Sequence, residues 1–350
     1  MPALDVLRLF AVLAVVLFHY GYRGPTGFGT TYVALPELGP YARYGFLGVP
    51  VFFVISGFVI AYSAEGRGPV QFAIARFARI YPTFVLCMTL TFAFLILFGA
   101  PAFETSFAQW VSNLLIAAPG STYMDSAYWS LVVEMIFYTW VAIFIALGLW
   151  QTRLDLIVAV WLALSVLSDL TIDATVICKA FLADYSGFFA TGIMMYQIHK
   201  GRRDASVQWL LATAVLTAVY QSIHNLRGLR EQTGAIDDLI VAGIFLISVS
   251  VIFAATKIRR LPLNVALAVG GITYPLYLLH QQIGYVLFDQ PTDASSISVA
   301  ATLLFLMALS WGIWRFFEPS AQSLTKRHLT AVVERLSSST FTVPSKKATP

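Results

Sequence analysis

Charge is the scarcest ingredient of this chain: Asp, Glu, Lys and Arg make up 11% of its 350 residues, against 58% hydrophobic ones. A water-soluble domain carries about 25% charged residues, so this chain lacks the charge to cover a solvated surface. Cysteine is nearly absent too. Cys87 lies inside an apolar run and Cys178 at the edge of another, which cannot be read as a disulfide framework or a metal site. The strand alternation of an outer-membrane barrel is missing, so any bilayer crossings are helices. Neither a Walker loop nor a Gly-x-Ser-x-Gly elbow occurs. No internal repeat is visible, so the inverted-repeat pattern of many transporters is lacking.

What abounds is long apolar sequence, with a mean hydropathy of +0.76. Stretches long enough to span a bilayer recur about ten times: Leu4–Tyr20, Phe46–Ala64, Tyr81–Gly99, Ala127–Leu149, Leu154–Leu170, Phe181–Ile198, Val207–Ile223, Leu239–Ala255, Val265–Phe288 and Ile297–Phe317. The first lacks a small-residue cleavage site and is expected to remain as a span. A shorter patch, Trp110–Ala118, ends in Pro119-Gly120 and reads as interfacial or re-entrant. The fold expected is an all-α polytopic membrane protein, a bundle of about ten transmembrane helices over residues 1–320. Residues 321–350 read as a short basic, partly disordered cytoplasmic tail.

The net charge of +4 and pI near 9.0 do not point to nucleic acid, because the basic residues flank apolar runs as topogenic signals do. One set of alternate loops holds Arg67, Arg76, Arg79, Arg153, Lys200, Arg202, Arg203, Lys257, Arg259 and Arg260, and the tail adds more. The opposite loops are poorer in Lys and Arg. That asymmetry predicts cytoplasmic termini and an even number of spans.

Against this background a few polar residues stand out. Arg8 and His19 bracket the first span; eleven helical steps return to within roughly 20° and advance about 16 Å, so the two share a face. A polar group in hydrocarbon costs about 2.5–3.5 kcal/mol on insertion scales, and it usually faces protein or a wet cavity. Snorkelling of Arg8 to the headgroups is the plain alternative. In YWSLVVEMIFYTW, Ser130 and Glu134 stand four apart on one face, with Glu134 about two turns deep. In GGITYPLYLLHQQIGY, Tyr274, Tyr277 and His280 follow at three-residue spacing, and Pro275 frees a backbone carbonyl. Gly270 and Gly271 read as close-packing positions, as does Gly57. Asp184 and Ser186 enter from the outer side as well. A common cavity is the economical expectation, with Glu134 close enough to His19 for a hydrogen bond.

On the inner side, RFARIYP places Arg76 and Arg79 three apart on one face. Topogenic charge alone accounts for two arginines in a short loop. The functional reading is an anion clamp, since guanidinium pairs with phosphate in fork geometry.

The set Arg8-x10-His19, VFFVISGFVI, RFARIYP, YWSLVVEMIFY, FFATGI, ITYPLYLLH and the closing Phe317-Glu318-Pro319 resembles the membrane-bound acyltransferase type 3 family, in family order and over nearly the whole chain. The resemblance implies acyl-CoA, usually acetyl-CoA, drawn from the cytoplasm, and an acceptor hydroxyl on a lipid-linked or exported glycan. It implies His19 as the essential catalytic residue and gives weight to Arg8, Arg76, Arg79 and Glu134. Many such proteins carry a fused periplasmic esterase-like domain, for which this chain is expected to have no room. Short members resemble exopolysaccharide acetyltransferases of the bacterial inner (plasma) membrane.

The expectation is thus an O-acyltransferase working without a metal. Acyl-CoA docks near Arg76, Arg79 and Arg8, His19 acts as general base or acyl carrier, and Glu134 orients its imidazole. The competing reading is a proton-coupled transporter or glycan flippase with His19 and Glu134 as relay groups.

Overall fold

The computed structural model describes residues 1–24, 35–99, 105–116, 123–171, 175–229, 234–258, 262–288 and 296–339. Among these residues every regular element is helical. The long helices are α1 Pro2–Phe18, α2 Gly48–Ala64, α3 Pro69–Phe98, α4 Trp129–Ala146, α5 Leu154–Thr171, α6 Ser186–His199, α7 Ala205–Leu229, α8 Ala235–Ala255, α9 Leu263–Phe288, α10 Ser296–Gly312 and α11 Glu318–Ser339. Seven helical runs are long and apolar enough to cross a membrane: Pro2–Arg23, Gly39–Ala64, Pro69–Phe98, Ser126–Ala146, Ala205–Leu229, Ala235–Ala255 and Ile297–Ser337. The three other expected stretches also fold as helices, α5, α6 and α9. The protein is an all-α polytopic membrane protein.

Local chemistry sets the helix ends. Pro2 and Pro69 occupy the first helical turns of α1 and α3, where their missing N–H costs nothing. Asp125 accepts from the Ala127 N–H at 2.8 Å and so starts the turn that leads into α4. α3 stops at Gly99 and α4 just before Gly148, each glycine at positive φ. The patch 110–118 contributes the short helix Phe107–Asn113, whose Trp110 indole donates to Thr89 of α3 at 3.2 Å; residues 117–120 lie outside the described ones.

The C-terminal segment differs from expectation. α10 passes through a π-helical turn, Ile313–Phe317, straight into α11. Residues 321–339 are therefore helical where partial disorder was expected. The stretch is rich in Ala, Leu, Lys, Arg, Gln and Glu, all good helix formers, and α11 packs along α3, which supplies the tertiary support that composition does not reveal. Residues 340–350, and with them Lys346 and Lys347, lie outside the described residues, as do Arg230, Arg259 and Arg260.

Two layers of packing position the interior. α2 runs against α6, and α1 lies between α2 and α9. The α2–α6 crossing is held close by a reciprocal glycine pair. A Cβ on Gly57 would meet the Phe189 carbonyl oxygen at 2.2 Å, and one on Gly192 would meet that of Val54 at 2.0 Å. These contacts are with backbone, which cannot swing aside. Gly57→Ala is expected to cost roughly 1–3 kcal/mol by overpacking, read as a lowered unfolding temperature in detergent; an unchanged midpoint would mean the helices separate freely.

Candidate active site

A cavity of about 400 Å³ lies between α1, α2, α3, α4 and α9, with Trp314 of the π-turn and Glu318 of α11 also in its wall. Arg8, Arg76, Arg79, Ser130, Glu134, Tyr274 and Tyr277 all line it. The helical spacings explain why. Ser130 and Glu134 present one face of α4, and Arg76 and Arg79 one face of α3, so each pair arrives together.

The three guanidinium groups differ in their partners. Arg8 donates to Asp5 Oδ1 at 2.9 Å, one turn back on its own helix. Arg76 and Arg79 have no ion pair among the described residues, and the half-buried Arg76 leaves its Nε without a hydrogen-bond partner. Two basic residues at other helix ends are engaged. Arg202 grips Asp155 with two bonds of 2.8 and 2.7 Å, and Lys200 pairs with Glu65. Charge left open in a partly buried cavity is a ready receptor for an anion.

Glu134 is not where it was expected. Its Oε1 accepts from Ser56 Oγ and from Tyr138 OH, both at 2.7 Å. It faces the arginine cavity and is not a partner of His19. Spacing along α4 put it on one face with Ser130, and that face turns toward Ser56 of α2 rather than toward His19.

His19 instead meets a second histidine. Its Nδ1 lies 2.9 Å from the Val15 carbonyl oxygen and 3.0 Å from His280 Nε2. The rings stand edge to face, with centroids 4.9 Å apart. His280 is fully buried, and its Nδ1 lies 2.7 Å from the Tyr277 carbonyl oxygen. At His19 the first helix widens into a π-turn, His19–Arg23. Such turns are rare and often mark functional positions, because the inserted residue re-aims the side chains beside it.

The single cavity expected to hold all these groups is corrected by this arrangement. His19, His280 and Asp184 are not among the walls that Arg8 shares. Tyr277 joins the two places: it lines the cavity with Phe52, their ring centroids 5.9 Å apart, and its ring centroid is 5.7 Å from that of His280. Asp184 sits exposed in the turn Ala183–Tyr185, ahead of α6, which packs away from α9. Ser186 is buried and accepts from Gln221 of α7 at 3.2 Å.

The junction between α4 and α9 is tightly clamped. Asp125 accepts the Gln282 backbone N–H at 3.1 Å, Gln281 donates to Ser126 at 2.5 Å, and Ser130 and Tyr277 share a 2.8 Å hydroxyl bond. These contacts hold the Tyr277–His280 turn against the start of α4. The glycine pair of α9 makes room from the other side. A Cβ on Gly270 would meet Asp5 at 2.8 Å, and one on Gly271 would meet the Trp314 indole at 2.0 Å.

Sequence reading did not single out Asp5, Ser56, Tyr138, Trp314 or Glu318 as cavity residues. Asp5 and Tyr138 were within reach, at i−3 from Arg8 and i+4 from Glu134. Ser56, Trp314 and Glu318 reach the cavity only through tertiary packing. Among the described residues, no group of three or more His, Cys, Asp or Glu side chains is placed to hold a metal ion.

Comparison with known proteins adds an independent line. The family model described as an acyltransferase domain (Acyl_transf_3) matches residues 1–341. The O-acetyltransferase OatA of Staphylococcus aureus (strain NCTC 8325 / PS 47) is 23% identical over 325 residues, covering 81% of this chain and 50% of that protein. The peptidoglycan O-acetyltransferase OatA of Listeria monocytogenes serovar 1/2a is 26% identical over 189 residues, covering 48% of this chain and 28% of that protein. The chain thus spans about half the length of the first relative and less of the second. No solved structure matches it.

Proposed function

The chain belongs to the acyltransferase domain family, and from that premise we propose that it is a membrane O-acyltransferase moving an acetyl group from cytoplasmic acyl-CoA to a hydroxyl of an envelope glycan. The observation that carries this reading is the cavity lined by Arg8, Arg76 and Arg79, two of them without an ion pair among the described residues. Phosphates of the donor suit that arrangement, because guanidinium binds phosphate by paired, charge-assisted hydrogen bonds. The names of the relatives support an acetyl group and, for the Listeria protein, a peptidoglycan acceptor.

In this reading the termini face the cytoplasm and the donor enters beside Arg79. Its pantetheine arm climbs along α1, over the roughly 16 Å that separate Arg8 from His19 on the helix. The Phe52 and Tyr277 rings line the cavity and must admit the arm. His19 then acts as general base on the acceptor hydroxyl or carries the acyl group between two steps. Glu134, held by Ser56 and Tyr138, faces the donor end and fixes that wall.

Thioester cleavage by the purified protein tests the reading: acetyl-CoA is consumed and acetyl appears on a glycan offered from a panel. Absence of CoA binding, together with glycan movement driven by a proton gradient, would put the transporter reading in its place.

A further inference from the structure

A catalytic histidine needs its second ring nitrogen held, and the residue in position to do so here is another histidine. A carbonyl oxygen only accepts, so His280 Nδ1, 2.7 Å from the Tyr277 carbonyl, carries a proton. Neutral His280 then presents a lone pair at Nε2. His19 Nδ1 lies between the Val15 carbonyl and that lone pair, so it too carries its proton. What remains is His19 Nε2, unprotonated and pointing away from both contacts.

The pairing is built rather than incidental. Tyr20, next to His19, donates through its hydroxyl to the His280 carbonyl oxygen at 2.6 Å. Its ring lies over Gly284, where a Cβ would stand 2.4 Å from the Tyr20 hydroxyl oxygen. The π-turn begins at His19 itself. On the other flank, Asp125 holds the Gln282 N–H and Ser130 holds Tyr277. His280 is thus fixed on both sides, with its free nitrogen facing His19.

We propose that His280 is the positioning residue for His19, holding it in the Nδ1–H tautomer and sharing the positive charge that His19 gains during transfer. This rests on His19 being the base proposed above. His19 Nε2 takes the acceptor's hydroxyl proton as that oxygen bonds to the acyl carbon. The carbon–sulfur bond breaks, and the proton passes from Nε2 to the departing thiolate. Between those events His19 is an imidazolium, and its Nδ1–H bond to His280 strengthens. The Val15 carbonyl already receives the His19 backbone N–H and shares the Nδ1 proton with His280. The His280 lone pair is the second acceptor, and it belongs to a ring that is itself fixed by the Tyr277 carbonyl. It occupies the place where a carboxylate stands in the familiar histidine triads.

Two amide substitutions separate this role from packing. The oxygen of His280→Gln reaches about as far as Nε2 and can still accept from His19. His280→Asn places its amide near the Nδ1 position, keeps the contact to the Tyr277 carbonyl and falls short of His19. With both variants checked for folding by thermal unfolding in detergent, kcat should stay within about tenfold for Gln and fall about 100-fold for Asn, with donor KM unchanged in each. Wild-type kcat in His280→Asn, or equal loss in both variants, overturns the proposal. His19→Ala is measured alongside: retained activity there would sink the His19 reading itself, whereas loss there with an active His280→Asn would sink only the role of His280.

Discussion

Replacing His19 with alanine should abolish acyl transfer while leaving a folded, membrane-inserted protein. If His19 is a base, the loss is roughly 10²–10⁴-fold; if it carries the acyl group, no enzymatic turnover remains. The substitution also leaves the His280 lone pair without its donor, which costs about 1–3 kcal/mol of stability. His19→Asn is the sharper control. It keeps an amide near Nδ1 and removes the group at Nε2, so activity should fall as far while stability falls less. The measurement is acetyl transfer from acetyl-CoA by purified protein, with unfolding temperature read in parallel. Near-normal transfer by either folded variant would end the mechanism.

The second large effect is expected at the donor end. Arg76→Ala and Arg79→Ala should each raise the acyl-CoA KM and leave acceptor KM nearly unchanged, because a phosphate contact is made in the ground state and the transition state alike. A charge-assisted hydrogen bond is worth about 1.5–3 kcal/mol, which corresponds to a rise of roughly 10- to 150-fold. Arg76 should show the larger effect: it is half-buried and its Nε has no partner, whereas Arg79 is exposed and more screened by salt. Donor affinity should also weaken as ionic strength rises. If both variants bind donor normally and only their membrane orientation suffers, the two arginines are topogenic charges.

Much of the candidate site was legible because helical periodicity converts spacing into a shared face. Ser130 with Glu134 and Arg76 with Arg79 all line the same cavity. Neighbourhood was not legible. Glu134 was expected beside His19, and the outcome, Ser56 and Tyr138, depends on how α4 rotates against α2. The Ser56 partner lies on another helix, 78 residues away in sequence, a neighbourhood that spacing along α4 does not specify.

By itself the sequence determined the solvent and the class of fold. With 11% charged residues and repeated apolar runs, this chain has to live in a bilayer, and a bilayer leaves its backbone little choice except the helix. The ordered motifs likewise identified the family, since they are local strings that need no folding to be seen. Pairing between distant strings was decided by the tertiary structure. It drew His280 to His19, turned Glu134 to Ser56, and brought Trp314 and Glu318 of the last helical run into the wall that the arginines share. The physical reason is that apolar spans are nearly interchangeable by hydrophobicity in lipid. Which spans become neighbours is settled by small-residue contacts and a few buried hydrogen bonds, and these exist only once the helices have packed.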